Sequence, residues 1–274
     1  GMSSARLRAV GWYVVLGLLA IVILTPIYLA IVQALSPPGL YARRGTPPYP
    51  VGWDWGVFGR AWDAGNLGSA LGRSIQITIL VTVAQVLTSL LSAYAFAYLE
   101  FPLKRLLFAV FIGTMLLPIE VTLLGNVVTI RQWGWIDSTQ ALVLPSAAAA
   151  FGTFLLRQGF VAIPKEVREA AVLDGYGEMR FLFRIAVPLC RPIIASLTVV
   201  TDLTAWGAYL WHRAVIVDTA GSATVPIALR TLASSGSDGN IALAGALIVS
   251  APVVLVLIVF QRALVKGLTA GAVK

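Results

Sequence analysis

Long apolar runs alternate with shorter polar connections along the chain, and each run is about as long as a helix that crosses a membrane. A helix needs about 20 mostly apolar residues to span the hydrocarbon core of a bilayer. Six segments meet this length, at 11–33, 74–99, 106–129, 138–157, 192–212 and 239–261. The pattern therefore predicts an all-α polytopic membrane protein with six transmembrane helices in a single domain, residues 1–274.

Composition agrees with this prediction and narrows the chemistry. Hydrophobic residues make up 58% of the chain and charged residues 12%, with a mean hydropathy of +0.87, whereas soluble domains carry about a quarter charged residues. The single Cys190 and the single His212 exclude a disulfide framework and a zinc cluster. There is no glycine-rich phosphate loop ending in Gly-Lys-Ser/Thr, so we predict no catalytic residues, no metal and no cofactor bound by this chain.

The placement of lysine and arginine predicts the orientation, because cytoplasmic connections of membrane proteins carry an excess of these residues. With the N-terminus inside, thirteen of the 20 Lys and Arg residues fall on the cytoplasmic side. Both termini are therefore predicted to be cytoplasmic, and the longest cytoplasmic connection is 158–190. The net charge of +8 is spread through such connections, and no basic, aromatic-rich domain points to nucleic-acid binding.

The connection 158–190 contains a charged stretch with a helical pattern, EAAVLDGYGEMRFLFRIAVP. Pro164 suits the first turn of a helix, and Gly175 suits its end because glycine readily adopts the left-handed conformation. A second helical piece is predicted from Glu178 to Val187, before Pro188. The stretch is therefore expected to form two short helices joined by a tight turn.

The first of these helices carries a face of small side chains. Val167, Ala170 and Ala171 are spaced i, i+3 and i+4, which places them on one side of a helix. Small side chains let the backbone of another protein approach closely, so this face is a candidate docking surface. An interfacial helix without any partner is the alternative that the pattern leaves open.

The same stretch resembles the Glu-Ala-Ala loop of importer permeases in the ATP-binding-cassette (ABC) superfamily. That loop reads Glu-Ala-Ala, three residues, Gly, nine residues, Ile, any residue and Leu-Pro, and Val187 in place of leucine is the one departure. The matching residues are Glu169, Ala170, Ala171, Gly175, Ile185 and Pro188. The TMLLPIEV stretch, the run from Trp206 to Trp211 and the tail FQRALVKGLTAGAVK are similar to the smaller membrane subunit of maltose-type carbohydrate importers.

The resemblance implies a type I ABC importer permease fold in which this loop is a coupling helix that docks into a groove of the ATPase. Asp174 also matches the motif, and the tail 267–274 would reach the paired ATPases. The implied partners are a second homologous permease, two ATP-binding-cassette ATPase subunits, an extracytoplasmic solute-binding protein and membrane lipid. ATP and Mg²⁺ would bind to the ATPase subunits, and the complex would lie in the bacterial inner membrane.

The resemblance implies less about the cargo. Permeases of this type carry sugars or related polyol derivatives, glycerol phosphate among them. Many relatives have Asn-Glu after the first tryptophan of the aromatic run, whereas this chain has Gly207 and Ala208. This departure removes two polar groups and leaves the transported solute open.

Four residues in or beside the predicted spans are candidates for the translocation path. Glu120 and Asp202 interrupt apolar helices, and such charges usually face a protein interior or water; a structural contact is the alternative for each. Trp206 and Tyr209 would stack on sugar faces or belong to an aromatic belt. Polar residues of the second span would bond between helices or face the path: Thr78, Thr82, Gln85, Thr88 and Ser89.

The main functional alternative is an ion-coupled secondary transporter that uses Glu120 or Asp202 as a proton site. It leaves the Glu-Ala-Ala motif unexplained. An intramembrane enzyme would need a nucleophile and a base, which one histidine and one cysteine are poorly placed to supply. A structural scaffold would share the docking loop but would not need polar residues in the membrane.

Overall fold

The computed structural model describes residues 4–236 and 238–269, and within these residues the backbone forms helices joined by turns, without a β-strand. The α-helices are α1 (Ser4–Ala34), α2 (Pro38–Arg43), α3 (Val57–Ala64), α4 (Leu67–Tyr98), α5 (Lys104–Gly113), α6 (Ile119–Gln132), α7 (Thr139–Val143), α8 (Ala150–Val161), α9 (Lys165–Leu173), α10 (Glu178–Phe181), α11 (Val187–Leu189), α12 (Arg191–Trp206), α13 (Leu210–Val215), α14 (Val225–Ser234) and α15 (Gly239–Thr269). Two short 3₁₀ turns follow α5 and α7, and a π-helical turn follows α10.

Three stretches of the described chain are long and apolar enough to cross a bilayer as single helices, namely Arg8–Ala34, Leu67–Tyr98 and Gly239–Arg262. Three further candidates are pairs of helical pieces separated by a sharp bend. They are Lys104–Leu116 with Ile119–Gln132, Thr139–Ser146 with Ala150–Val161, and Glu178–Leu189 with Arg191–Trp206. The helices therefore supply three spans, or up to six if each bent pair crosses the membrane once.

Proline explains where the bent pairs break. The bends are 99° at Pro118, 43° after Pro145 and 83° beside Pro192. A proline ring has no N–H to donate to the preceding turn and clashes with the carbonyl four residues back. The third and fourth predicted spans are thus interrupted inside the membrane-length run. Within the fifth predicted span, α12 ends at Trp206 and α13 begins at Leu210.

The chain divides into two compact units, of which the first comprises residues up to Gly68 together with Ala228–Ala251. Its core consists of Ala34, Val57, Ala61 and Ala244. The connection after α1 folds back on that helix, where the Asp54 N–H donates to the Leu35 carbonyl at 2.9 Å.

The connection between α1 and α4 carries an exposed aromatic and charged surface. Trp53 and Trp55 stack with ring centroids 6.2 Å apart, and both are exposed. Between them, Asp54 accepts hydrogen bonds from Arg60 of α3. These hydrogen bonds hold the pKa of the Asp54 carboxyl below its ordinary value of 3.8.

The second unit comprises Ser69–Ile227 and the chain from Pro252 onward. Its described residues include an apolar cluster that joins α4, α6, α7, α12 and α13 around Ile77, Leu142 and Trp211. The indole N–H of Trp211 donates to the Ala141 carbonyl at 2.9 Å. A second cluster joins α4 and α8 to the segment from α9 to α12, and it holds the candidate site described below.

A polar face of α4 compensates for the break between α7 and α8. Gln85 Nε2 donates to the Ser146 carbonyl at 2.6 Å, and Thr88 Oγ1 donates to the Ala147 carbonyl at 2.8 Å. These carbonyls lie at the break after Pro145, so α4 supplies hydrogen-bond donors to the backbone where the helix is interrupted. Interhelical bonding is therefore the role of these two side chains in the structure.

Candidate functional site

The stretch with the Glu-Ala-Ala motif, which we call the EAA segment and define as residues 164–190, begins with helix α9. Pro164 lies at its N-cap with φ −56° and ψ 140°, one position before the predicted first turn. Glu166 lies in the first turn of α9, where a negative charge interacts favourably with the helix dipole. Pro164 and Glu166 therefore favour the start of α9 at this point of the chain.

The end of α9 is a Schellman motif. Gly175 has a φ of +77°, and its N–H donates to the Val172 carbonyl at 3.0 Å. The N–H of Tyr176 donates to the Ala171 carbonyl at 2.9 Å. These are the two bonds that define the motif, and the left-handed residue between them is normally glycine. The predicted role of Gly175 is thus seen directly in the backbone.

The second half of the segment is helical but irregular. A π-helical turn, Leu182–Ala186, separates α10 from α11. Pro188 cannot donate the hydrogen bond that an α-helix would require at its position, and the wider turn directly precedes it. Ile185 and Pro188, the last two motif residues, are both partly buried here.

The EAA segment is held against α4 and α8 by a buried cluster. From the segment it contains Ala171, Phe181, Leu182 and Ala186, and from the membrane helices it contains Leu90, Tyr94, Leu156 and Phe160. Ala171 is 4% exposed and Phe181 is 3% exposed. The side of the segment that packs against α4 and α8 is therefore fixed. The opposite side, which we call the outer side of the segment, is exposed.

The outer side differs from the face predicted by spacing. Ala171 is buried and Val167 is partly buried, whereas Ala170 is exposed beside Glu169. Leu173 is 88% exposed and Val172 is also exposed. The predicted small apolar face is thus divided. Ala171 packs against the rest of this chain, whereas Ala170 is exposed and accessible to another protein.

Exposed residues at the end of α9 continue this open surface. Asp174 and Gly175 are both exposed in the turn that follows the helix. A groove of about 620 Å³ borders this surface, and its lining includes Tyr98, Arg168 and Glu169. Five motif residues, from Glu169 to Gly175, are therefore brought together on or beside one short helix.

Glu178, at the start of α10, connects α9 to α4. Its carboxylate accepts a hydrogen bond from the Tyr94 hydroxyl and pairs with Arg168 at 3.0 Å. The Arg168 guanidinium also lies 4.8 Å from the centre of the Tyr98 ring. The motif contains none of these four residues.

The candidate path residues lie apart from the EAA segment, on other elements. Glu120 is exposed in the first turn of α6, immediately after the 99° bend. The residues around this bend are also exposed and apolar, with Leu116 at 85%. The Glu120 carboxylate thus lies beside a break in the helix, and the described residues of this chain do not cover the side chains around that break.

Asp202 and Trp206 lie one turn apart on α12, and both are partly buried. Tyr209 is exposed in the break between α12 and α13. The nearby Trp211 and His212 are buried, and His212 Nδ1 lies 3.2 Å from Thr224 Oγ1. His212 thus belongs to the packed interior of the second unit.

Within the described residues, no group of three or more His, Cys, Asp or Glu side chains could hold a metal ion. Cys190 is buried as a free thiol in the cluster that supports the EAA segment. The predicted ATPase-contacting tail, 267–274, lies from residue 270 onward outside the described residues.

Sequence reasoning named Gln85 and Thr88 as side chains that would bond between helices or face the path, but it did not single out Ser92 or Asp137. Gln85, Thr88 and Ser92 follow an i, i+3, i+7 spacing, and this periodicity was a usable sign of one polar helix face. Asp137 gave no such signal. Its carboxylate accepts from the N–H groups of Val217 and Asp218 at 2.6 and 3.0 Å, far away in the sequence.

Comparison with known proteins places this arrangement in a family. Residues 85–270 match the family described as "Binding-protein-dependent transport system inner membrane component". The sn-glycerol-3-phosphate transport system permease protein UgpE of Pectobacterium atrosepticum is 34% identical over 263 residues, covering 93% of this chain and 92% of the relative. The protein of the same name from Escherichia coli O157:H7 is 34% identical over 256 residues, covering 90% and 91%.

A solved structure shares the fold. It is a chain in the crystal structure of a bacterial ABC transporter involved in the import of the acidic polysaccharide alginate, with a TM-score of 0.80 and 21% identity over 96% of this chain and 98% of that chain. A second, in complex with an alginate pentasaccharide-bound periplasmic protein, has a TM-score of 0.58 and 15% identity, with 92% of each chain covered.

These relatives are transport components, and ATP hydrolysis in such importers belongs to a separate subunit. The apolar helices and the match to the family make the chain a multi-pass membrane protein. The chain therefore belongs to the family of inner-membrane components of binding-protein-dependent transport systems, as the permease subunit of an ABC importer.

Proposed function

We propose that this chain is one of two homologous permease subunits in an importer whose cargo is a polyol phosphate of the sn-glycerol 3-phosphate class. The proposed cargo is inferred from the 34% identity to a glycerol-phosphate permease over 93% of the chain. The complete assembly also contains two ATPase subunits, which bind ATP and Mg²⁺, and an extracytoplasmic binding protein. All six predicted spans cross the bacterial inner membrane, and both termini are cytoplasmic.

The EAA segment is the proposed docking site for an ATPase subunit. Glu169, Ala170 and Asp174 are exposed on one side of α9 and its turn, and the apolar Leu173 protrudes beside them. An exposed carboxylate next to exposed apolar side chains suits a groove that has a basic rim and an apolar floor. Burial of Ala171 on the opposite side fixes the segment to the membrane helices, so force applied at the surface reaches them.

The bend between α5 and α6 supports the presence of a second permease. Irregular backbone at membrane depth is tolerated only where protein or a water-filled cavity surrounds it. In this chain Leu116, Leu117 and Ile119 are exposed around the 99° bend. We propose that the homologous subunit packs against these side chains, and that the aqueous path between the two subunits borders the bend.

The path itself is proposed to pass Glu120, Asp202, Trp206 and Tyr209. Broken helices supply binding groups at the centre of many transporters, and Glu120 directly follows such a break. Alanine at Glu120 or Asp202 should change the rate or selectivity of uptake without lowering the melting temperature of the complex. Unchanged uptake in both variants would remove these two carboxylates from the path.

The proposed cargo is tested with the complete complex in proteoliposomes. Uptake and ATPase stimulation are measured with the cognate binding protein and a panel of sn-glycerol 3-phosphate, a glycerophosphodiester, glucose and maltose. We expect ATP-dependent uptake of sn-glycerol 3-phosphate and none of glucose. Uptake of a neutral sugar alone would refute the cargo, whereas uptake without ATP that a protonophore abolishes would support the ion-coupled alternative, which no observation now favours.

A further inference from the structure

Glu178 is the meeting point of three parts of the chain. It belongs to α10, its carboxylate pairs with Arg168 of α9 at 3.0 Å, and it accepts a hydrogen bond from the hydroxyl of Tyr94 in α4. A carboxylate can accept several hydrogen bonds at once, so a single side chain holds both halves of the EAA segment to a membrane helix.

Aromatic packing gives these contacts a fixed geometry. The Tyr94 and Tyr98 rings are 5.1 Å apart, and each lies within 6.4 Å of the Phe181 ring. Tyr94 is 3% exposed. The Tyr98 hydroxyl donates to the Phe160 carbonyl at 2.7 Å, which ties the same aromatic group to α8.

The Arg168 side chain links the polar contacts to the aromatic ones. Its guanidinium binds the Glu178 carboxylate at one edge and lies over the Tyr98 ring at 4.8 Å from the centroid. Guanidinium groups are suited to bidentate carboxylate contacts and to stacking on rings. Any rotation of α9 against α4 must therefore break contacts at Arg168, Glu178 or Tyr94.

We propose that Tyr94, Glu178 and Arg168 form a clamp that transmits movement of α9 to α4 during the transport cycle. These are positioning residues, because they act through the docking helix and contact neither ATP nor solute. The inference rests on the proposed docking of the ATPase to the EAA segment. Without the clamp, α9 is held to α4 by the apolar packing around Ala171, and α9 can tilt further before α4 moves.

The test compares three variants in the reconstituted complex. The transported solute is sn-glycerol 3-phosphate, or whichever solute of the panel above the unaltered complex takes up. Tyr94→Phe keeps the ring packing and loses the hydroxyl. Glu178→Gln keeps an acceptor for Tyr94 and loses the ion pair with Arg168, and Glu178→Ala loses both. Arg180→Gln is the matched control, because Arg180 lies on the same helix and stacks on the nearby Tyr176 ring, at 4.4 Å, and not on a clamp residue.

We expect solute moved per ATP hydrolysed to fall about fivefold for Tyr94→Phe and Glu178→Gln, and further for Glu178→Ala, with the ATPase rate unchanged. Arg180→Gln should behave as the unaltered protein. An unchanged ratio in all three clamp variants would overturn the proposal. So would an equal loss of uptake and ATPase activity, because this would indicate lost assembly and not lost transmission.

A separate variant distinguishes the clamp from the docking assignment on which it rests. Glu169→Lys alters the exposed docking surface and leaves the clamp contacts in place. Retention of the ATPase by this variant, with normal uptake, refutes docking at the EAA segment. Loss of the ATPase in Glu169→Lys, together with an unchanged transport ratio in the clamp variants, refutes the clamp alone.

Discussion

Replacement of Gly175 should weaken the turn after α9 through backbone strain alone. The residue has a φ of +77°, and a Cβ built on it would meet nothing within 4 Å. No steric clash therefore contributes, and the whole cost comes from placing an L-residue in the left-handed region. That cost is about 1–2 kcal/mol for alanine and is greater for valine, whose branched Cβ makes a positive φ a rare outlier.

The structure provides its own control two residues away. Gly177 also has open space around it, but its φ is −78°, which any residue adopts without strain. Gly177→Ala should therefore cost little, and Gly175→Asn should cost less than Gly175→Ala because asparagine tolerates the left-handed conformation. The expected order of destabilisation at position 175 is valine, then alanine, then asparagine.

Hydrogen–deuterium exchange of a peptide covering residues 165–178 measures the effect directly. A penalty of about 1–2 kcal/mol raises the local opening equilibrium by about 5- to 30-fold, and the amides of Gly175 and Tyr176 should lose protection first. Uptake should fall in the same order, with the protein still inserted in the membrane. Equal exchange in Gly175→Ala and Gly177→Ala would refute the argument from φ, as would normal uptake in Gly175→Val.

Three further predictions follow from other contacts. Glu169→Lys should abolish uptake without lowering the melting temperature, because this side chain is exposed; thermal unfolding and co-purification of the ATPase check it, and Glu169→Gln should be milder. Gln85→Leu should destabilise the complex by about 1–3 kcal/mol, because the Ser146 carbonyl loses its partner; an unchanged melting curve would contradict this. Because Arg60 lowers the pKa of Asp54, their pair stabilises the loop above about pH 4 and less as pH falls through the lowered pKa. Tryptophan emission should report this acid transition, and Asp54→Asn should lack it.

The ends of α9 could be predicted because local chemistry determines them. Proline has a fixed φ and no N–H, and glycine alone adopts the left-handed conformation without cost. Pro164 and Gly175 therefore mark the helix before any tertiary contact is known. The orientation of the helix was harder to predict, since Ala170 and Ala171 are chemically identical and only tertiary packing, in the cluster with α4 and α8, makes Ala171 the buried residue.

The bent spans show a second limit of sequence reasoning. Hydropathy sums over a window and does not register a change of direction, so the run on both sides of Pro118 reads as one continuous helix. The proline marks a possible break, but the 99° bend depends on what packs against the two pieces. Glu178 was missed for a related reason, because its partner Tyr94 lies 84 positions away in the sequence.

The hydrogen bonds from α4 to the break after Pro145 have an evolutionary consequence. Gln85 and Thr88 supply bonds that the broken helix cannot make for itself, so loss of either leaves a backbone carbonyl without that donor. Substitutions at these positions should therefore be accepted mainly together with changes near Pro145 that restore a continuous helix. Among homologous permeases, positions 85, 88 and 145 should covary, although they lie up to 60 residues apart.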